Sequence, residues 1–362
     1  MAFARISFLA GLLFLTALTA SASEEEKNEM KWRPAQVTFI TPLGSNWIHS
    51  WKTGNNFSLN ILFGMNGGLK GAEFSGLAGM IRDDATGAQF AGLANTVGGT
   101  FRGMQAAGLV NVAAKRMNGF QTAGLVSVAG GYFQGAQING LAAVTSGDLK
   151  GAQINGLAGI AGGTMKGVQI SGLFNYARKL DGVQLGLFNY ADTVKRGVPI
   201  GLFSVVGHGG YYAFEITAGE TFYGTASFKM GMKRFYNIFS LGAGYRNEQI
   251  IWGWGAGFGT LFNLSQKLDL SLEALCYQVN LGEWFTHGPN LLNKINISLG
   301  WNISPHVALV FTPSWNVTVM DLTDEYGEKT REPFAPYSVY SKTWDNDMNV
   351  RMYPGLSVGV RL

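Results

Sequence analysis

The chain has 362 residues, 14% of them charged, with 27 Lys+Arg against 23 Asp+Glu for a formal net charge of +4. Its 51 glycines, 24 Phe, 13 Tyr and 9 Trp fit neither a disordered chain nor a typical cytosolic enzyme. The basic residues are scattered singly, with no stripe that would hold nucleic acid, and the lone Cys276 permits no intrachain disulfide and reads as a buried small hydrophobe.

The chain opens MAFARISFLAGLLFLTALTASAS: one charge at Arg5, an apolar run from Phe8 to Leu18, then the small-x-small triplet Ala20-Ser21-Ala22. That is the layout of a secretory signal peptide over residues 1–22. The apolar run is too short for a spanning helix, which needs about 20 residues. No helix-length apolar run follows, which excludes a helical membrane protein but not a β-barrel. Residues 23–54 form an N-terminal segment without a recognisable pattern.

Over residues 55–205 the motif Gly-x-Gln-φ-x-Gly-Leu recurs. Its leading glycines are Gly71, Gly87, Gly103, Gly119, Gly135, Gly151 and Gly167 at a spacing of 16, then Gly182 and Gly197 at 15. A polar column follows at Gln89, Gln105, Gln121, Gln137, Gln153, Gln169 and Gln184, opened by Glu73 and closed by Pro199. An apolar residue sits two before most leading glycines, as at Leu69, Phe101, Met117, Phe133 and Leu149. Apolar and polar positions alternate as in strands. Because the motif reads the same way in every copy, like aligns with like only if successive strands are parallel. This favours a β-solenoid, whose glutamines would form a ladder. An alternative is one large β-barrel of roughly 17 strands, in which neighbours would be antiparallel. The last two copies drop a residue between Gln and Gly, which would remove a β-bulge. FSLNILFG at Phe57 to Gly64 reads as a degenerate cap.

From residue 211 to 362 the pattern changes to aromatic-rich alternating segments. Strands are expected near 212–219, 226–233, 236–245, 250–262, 268–279, 292–302, 306–320 and 353–362, enough for a small antiparallel barrel. The final strand is Gly355 to Leu362, as outer-membrane barrels commonly end. The fold class is therefore all-β: a solenoid-like repeat array followed by antiparallel strands that form a small β-barrel. Long inserts at Leu281 to Asn290 and Asp321 to Arg351 are where envelope proteins place recognition. Trp284, Phe285, Tyr337, Tyr340 and Trp344 are candidates there for stacking on sugar rings, although aromatics at a bilayer interface would look alike.

The copies GAQINGLAGI, GVQISGLFNYA and GVQLGLFNYA, the opening FSLNILFGMNGGLKGAE and the closing PGLSVGVRL resemble surface-repeat proteins of Bacteroidetes and Leptospira. The resemblance covers nearly all of the mature chain. It implies a cell-envelope location and brings no catalytic residue or ligand. The chain departs from the commonest asparagine of the repeat at Gly79, Ser127, Ala143, Gly159 and Ser204, which argues against a continuous asparagine ladder.

No reactive constellation emerges. His49, His208, His287 and His306 stand apart, without metal-ligand spacing. GHGG at Gly207 to Gly210 lacks a nucleophile elbow and reads as a turn. Asp321, Asp324, Glu325 and Glu328 could hold calcium weakly, but a solvated loop explains them better, as it does Asp345 and Asp347. The expectation is a non-enzymatic, exported protein of the outer membrane or cell surface (or periplasm), with no cofactor. Its partners would be outer-membrane or cell-surface components, glycans included, and not nucleic acid. A channel or ligand-binding barrel is the alternative, and a glycan hydrolase a distant third.

Overall fold

The computed structural model describes residues 30–246, 249–282, 284, 288–323, 331–344 and 347–362. The expected signal peptide, Phe285, His287, Asp324, Glu325, Glu328 and Asp345 lie outside them. Two compact units divide at Gly172 and Leu173. No described helix is long and apolar enough to cross a membrane.

In the first unit each repeat makes one coil of two short strands, for instance Phe101–Ala107 and Val110–Ala113. A Gly108-Leu109 corner joins them. Adjacent coils pair in parallel and in register, with Gly103 between Gly87 and Gly119 and Gln105 between Gln89 and Gln121. Parallel pairing establishes the solenoid and removes the large-barrel alternative. The stack also begins earlier than the motif. Lys31–Ile40 lies parallel to Thr53–Asn66, and the short strand Leu43–Gly44 folds back antiparallel onto it.

The leading glycines of the seven 16-residue copies have φ from +121° to +143°. A side chain there would be strained and would also run into the carbonyl oxygen of the coil before it. The expected bulge is absent. In the long copies Phe101, Gln105 and their counterparts already point inward at strict alternation. The residue missing from the short copies is the one before the corner glycine, alanine at 91, 107 and 123 and an inward polar residue at Asn139, Asn155 and Ser171, so its loss shortens the corner instead.

The second unit begins with parallel coils: Phe174–Leu185 pairs with Phe188–Val194 and Val198–Ile200, and Phe188–Val194 with Phe203–His208. An antiparallel meander follows through Tyr211–Gly219, Gly224–Met232, Phe235–Arg246, Gln249–Asn263, Leu268–Leu281, Asn290–Ser304, Val307–Asp321 and Met348–Arg361. The last strand pairs back onto the first, from Glu215 opposite Arg361 to Gly219 opposite Ser357, closing an eight-stranded barrel. All eight expected strands are present. A ninth, Tyr340–Thr343, lines the free half of Met348–Arg361. At one barrel end the strands are joined by tight turns such as residues 233–234 and 305–306; the long connections 282–289 and 322–347 lie at the other.

Cys276 is exposed on the outward face of its strand, not buried. Strand alternation puts Leu275 and Tyr277 inside and leaves the thiol outside.

Candidate functional site

Three groups of side chains could carry function: the barrel interior, the polar core of the array, and the aromatic residues of the long connections.

The barrel sorts its residues with charge inside. Along Val307–Asp321, Thr312, Ser314, Asn316 and Thr318 are buried, whereas Leu309, Phe311 and Trp315 face out. Along Leu268–Leu281, Asp269, Ser271 and Glu273 are buried and Leu268 and Leu272 exposed. The interior groups find one another. Lys229 Nζ donates to Glu215 at 2.8 Å and to Glu273 at 2.6 Å, and Tyr236 Oη donates to Glu273 at 2.8 Å. Arg361 Nη2 donates to Asp269 at 2.6 Å, and Asn316 Nδ2 to Glu220 at 2.9 Å. Paired charges of this kind are tolerable inside a protein only because each is hydrogen-bonded. The space left among Glu215, Ser227, Glu273 and Tyr277 is about 30 Å³, about the share of one water molecule. Side chains fill this part of the barrel interior, as eight strands allow. These charged residues escaped the sequence reading. Their signal was the single charge at alternate positions of an otherwise apolar strand, as in KLDLSLEALCYQV.

In the array, each glutamine of the column is fully buried, and those from Gln89 to Gln169 donate through Nε2 to the Oε1 of the preceding copy. The chain of bonds runs Gln169 to Gln153, Gln137, Gln121, Gln105 and Gln89 at 2.8–2.9 Å, and Gln89 donates to Glu73 at 2.9 Å. Glu73 also accepts from Asn66. Burial pushes the Glu73 carboxyl up to about 7 against the pull of its hydrogen bonds from Gln89, Asn66, Asn60 and Ser58. Gly79 replaces the usual asparagine where the carboxylate needs room, since a Cβ there would collide with it. The asparagine column is broken as expected, surviving as the pairs Asn95 to Asn111 and Asn175 to Asn189, both at 3.0 Å.

Of the aromatic candidates, Trp284, Tyr337, Tyr340 and Trp344 sit at the end of the barrel with the long connections. Trp284 is 84% exposed, with its ring edge-on to Trp252 at 6.3 Å. Tyr337 packs edge-on against Tyr353 at 5.4 Å and donates to the Pro354 carbonyl at 2.6 Å. Tyr340 lies exposed on the short ninth strand, and the exposed Trp344 carries Lys342 Nζ 4.1 Å above its ring. Phe285 lies outside the described residues. The connection is less open than its composition suggests, because Phe334 and Ala335 are buried in the barrel's apolar cluster with Phe222 and Tyr353. Asp321 is held by Thr323 through its backbone N–H at 3.0 Å and its hydroxyl at 2.7 Å. Among the described residues no group of His, Cys, Asp and Glu is arranged to hold a metal.

No protein family matches the chain, and no curated protein does. A structural comparison aligns 42% of this chain with 92% of the crystal structure of Neisserial surface protein A, at 12% identity and a TM-score of 0.26. That superposition is too loose to carry an inference.

Proposed function

We propose that this is a non-enzymatic protein of the outer membrane, anchored by its barrel and carrying a structural or adhesive repeat array. The observation that carries the reading is the inverted barrel. Its ion pairs are interior, while Leu299, Trp301, Leu309, Phe311 and Trp315 form part of an apolar belt facing out. A soluble barrel would be sorted the other way. Strands of 14–15 residues, tilted by about 40°, are long enough to cross a hydrocarbon core of about 30 Å. The tight turns then face the periplasm and the long connections the exterior. On this reading Trp284, Tyr337, Tyr340 and Trp344 are the residues on which a glycan or another cell-surface component would stack. The resemblance of the repeats to bacterial surface-repeat proteins supports the same reading.

The test is fractionation of cells expressing the full chain, followed by electrophoresis with and without boiling. Retention in membranes after alkaline carbonate, with a mobility shift on boiling, is expected. A mature protein found soluble in the periplasm sinks the anchor. Binding to a glycan array, weakened by Trp344→Ala, would identify the loop ligands.

A further inference from the structure

We infer that the Gly–Leu edge of the array is immersed in the acyl chains of one membrane leaflet. The inference rests on the barrel being a membrane anchor and extends that environment to the repeats.

The first ground is polarity. At the Gly–Leu edge the array is inverted just as the barrel is. Inside are Gln105, Asn111 and their counterparts, fully buried. Outside stand Leu77, Leu93, Leu109, Leu125, Leu141 and Leu157, each 39–49% exposed. They are stacked directly, the N–H of each leucine donating to the carbonyl of the one before, as from Leu125 to Leu109 at 3.0 Å. Phe74, Ile138 and Ile154 extend the exposed apolar surface along one face. A coil sorted for water would expose its glutamines and bury its leucines. The opposite edge obeys that rule, with Phe101, Met117, Phe133 and Leu149 fully buried and Arg102, Lys115, Arg116 and Lys150 outside. Each coil is thus amphipathic across its own width.

Depth is the second ground. From Met104 to Leu109 the strand and corner descend roughly 16 Å at about 3.3 Å per residue, about half of a 30 Å hydrocarbon core. The array is the right height to enter one leaflet without spanning. The residue column above this surface includes Lys70, Arg102, Lys150 and Lys166, long cations at the level where lipid headgroups would lie.

Continuity with the barrel is the third. In the second unit, Phe188 stacks on Phe203 at 5.0 Å, and Phe203 stacks on Phe239 of the barrel's outward face at 5.2 Å. Asn237 Nδ2, two residues earlier on that face, donates to the carbonyl of Gly201 at 2.6 Å, at the last Gly–Leu corner. The outer apolar surface of the last coils therefore runs without a break into the barrel's belt.

Finally, hydrocarbon tolerates no open strand edge. The first strand, Lys31–Ile40, is covered where it is apolar: Val37 donates to Ser45 Oγ at 3.2 Å and its carbonyl accepts from Ser45 N at 2.9 Å, with Ile40 opposite Leu43.

Nitroxide labels on the full chain in phosphatidylethanolamine–phosphatidylglycerol vesicles test this. The outward thiol of Cys276 reports on the barrel. Leu125→Cys and Ile138→Cys report on the edge and Lys150→Cys on the charged face, each in a Cys276→Ser background. Labels at 125 and 138 should match the barrel label, open to oxygen and closed to a water-soluble nickel chelate, with the ratio reversed at 150. If the edge labels meet the chelate while the barrel label does not, the inference fails and the anchor stands. Edge labels shielded from both probes mean that a second copy or another protein covers the edge, which also overturns it. A barrel label open to the chelate overturns both.

Discussion

Glu73 stands where the following seven copies carry glutamine, and its carboxyl is the terminal acceptor of the ladder. Its folded value of about 7 lies above the ordinary 4.5. The folded chain therefore holds a proton that the unfolded chain releases over that interval. Stability falls as pH rises from about 4.5 to about 7, by about 3 kcal/mol in all. Glu73→Gln should remove that slope, so that melting of the full chain in detergent is higher than wild type at pH 8 and nearly unchanged at pH 5. An unchanged slope would show that another group sets it. The glutamine column could be read from spacing alone, but its burial could not. Alternation separates a strand's residues into two sets, and whether the polar set faces in or out depends on the medium outside. The same ambiguity hid the exposure of Cys276 and the pairing of Lys229 with Glu215 and Glu273.

At the level of the strand and coil, the sequence was more explicit. An identical motif at fixed spacing demands like-against-like neighbours, and the in-register pairing of Gly103 with Gly87 and Gly119 is that demand met. Gly103→Ala should be poorly tolerated, because its φ of +133° and the carbonyl of Gly87 both exclude a methyl group. A loss of more than about 1 kcal/mol is expected, read as a lower midpoint of the array's unfolding. A neutral outcome would mean that the coils can part locally. What spacing could not show was the strand Lys31–Ile40, which carries no motif and joins the stack through backbone pairing and through the buried Gln36, which accepts from Asn55 Nδ2 and donates to the Met65 carbonyl. The burial of Phe334 was equally hidden, since nothing local marks one aromatic of a charged loop as the one that returns to the barrel.

On the scale of the whole molecule, the Gly–Leu edge of the coils and the barrel share one pattern of sorting, with amides or ion pairs within and an apolar surface without. Their seam in the second unit is the aromatic row ending at Phe239, aided by Tyr212, whose hydroxyl donates to the Val206 carbonyl at 2.7 Å. Phe239→Ala removes about 1 kcal/mol of ring stacking. Limited proteolysis at the Gly209–Gly210 link should then quicken about fivefold, with the barrel's mobility shift retained. Equal rates would show that the seam does not restrain the link. The 16-residue coils are parallel and in register, so one such unit can be added or lost among them without disturbing either neighbour. Each such change alters the array by a single strand spacing, about 4.8 Å, and leaves the barrel untouched. The protein therefore contains a ruler that inheritance can lengthen or shorten in whole increments.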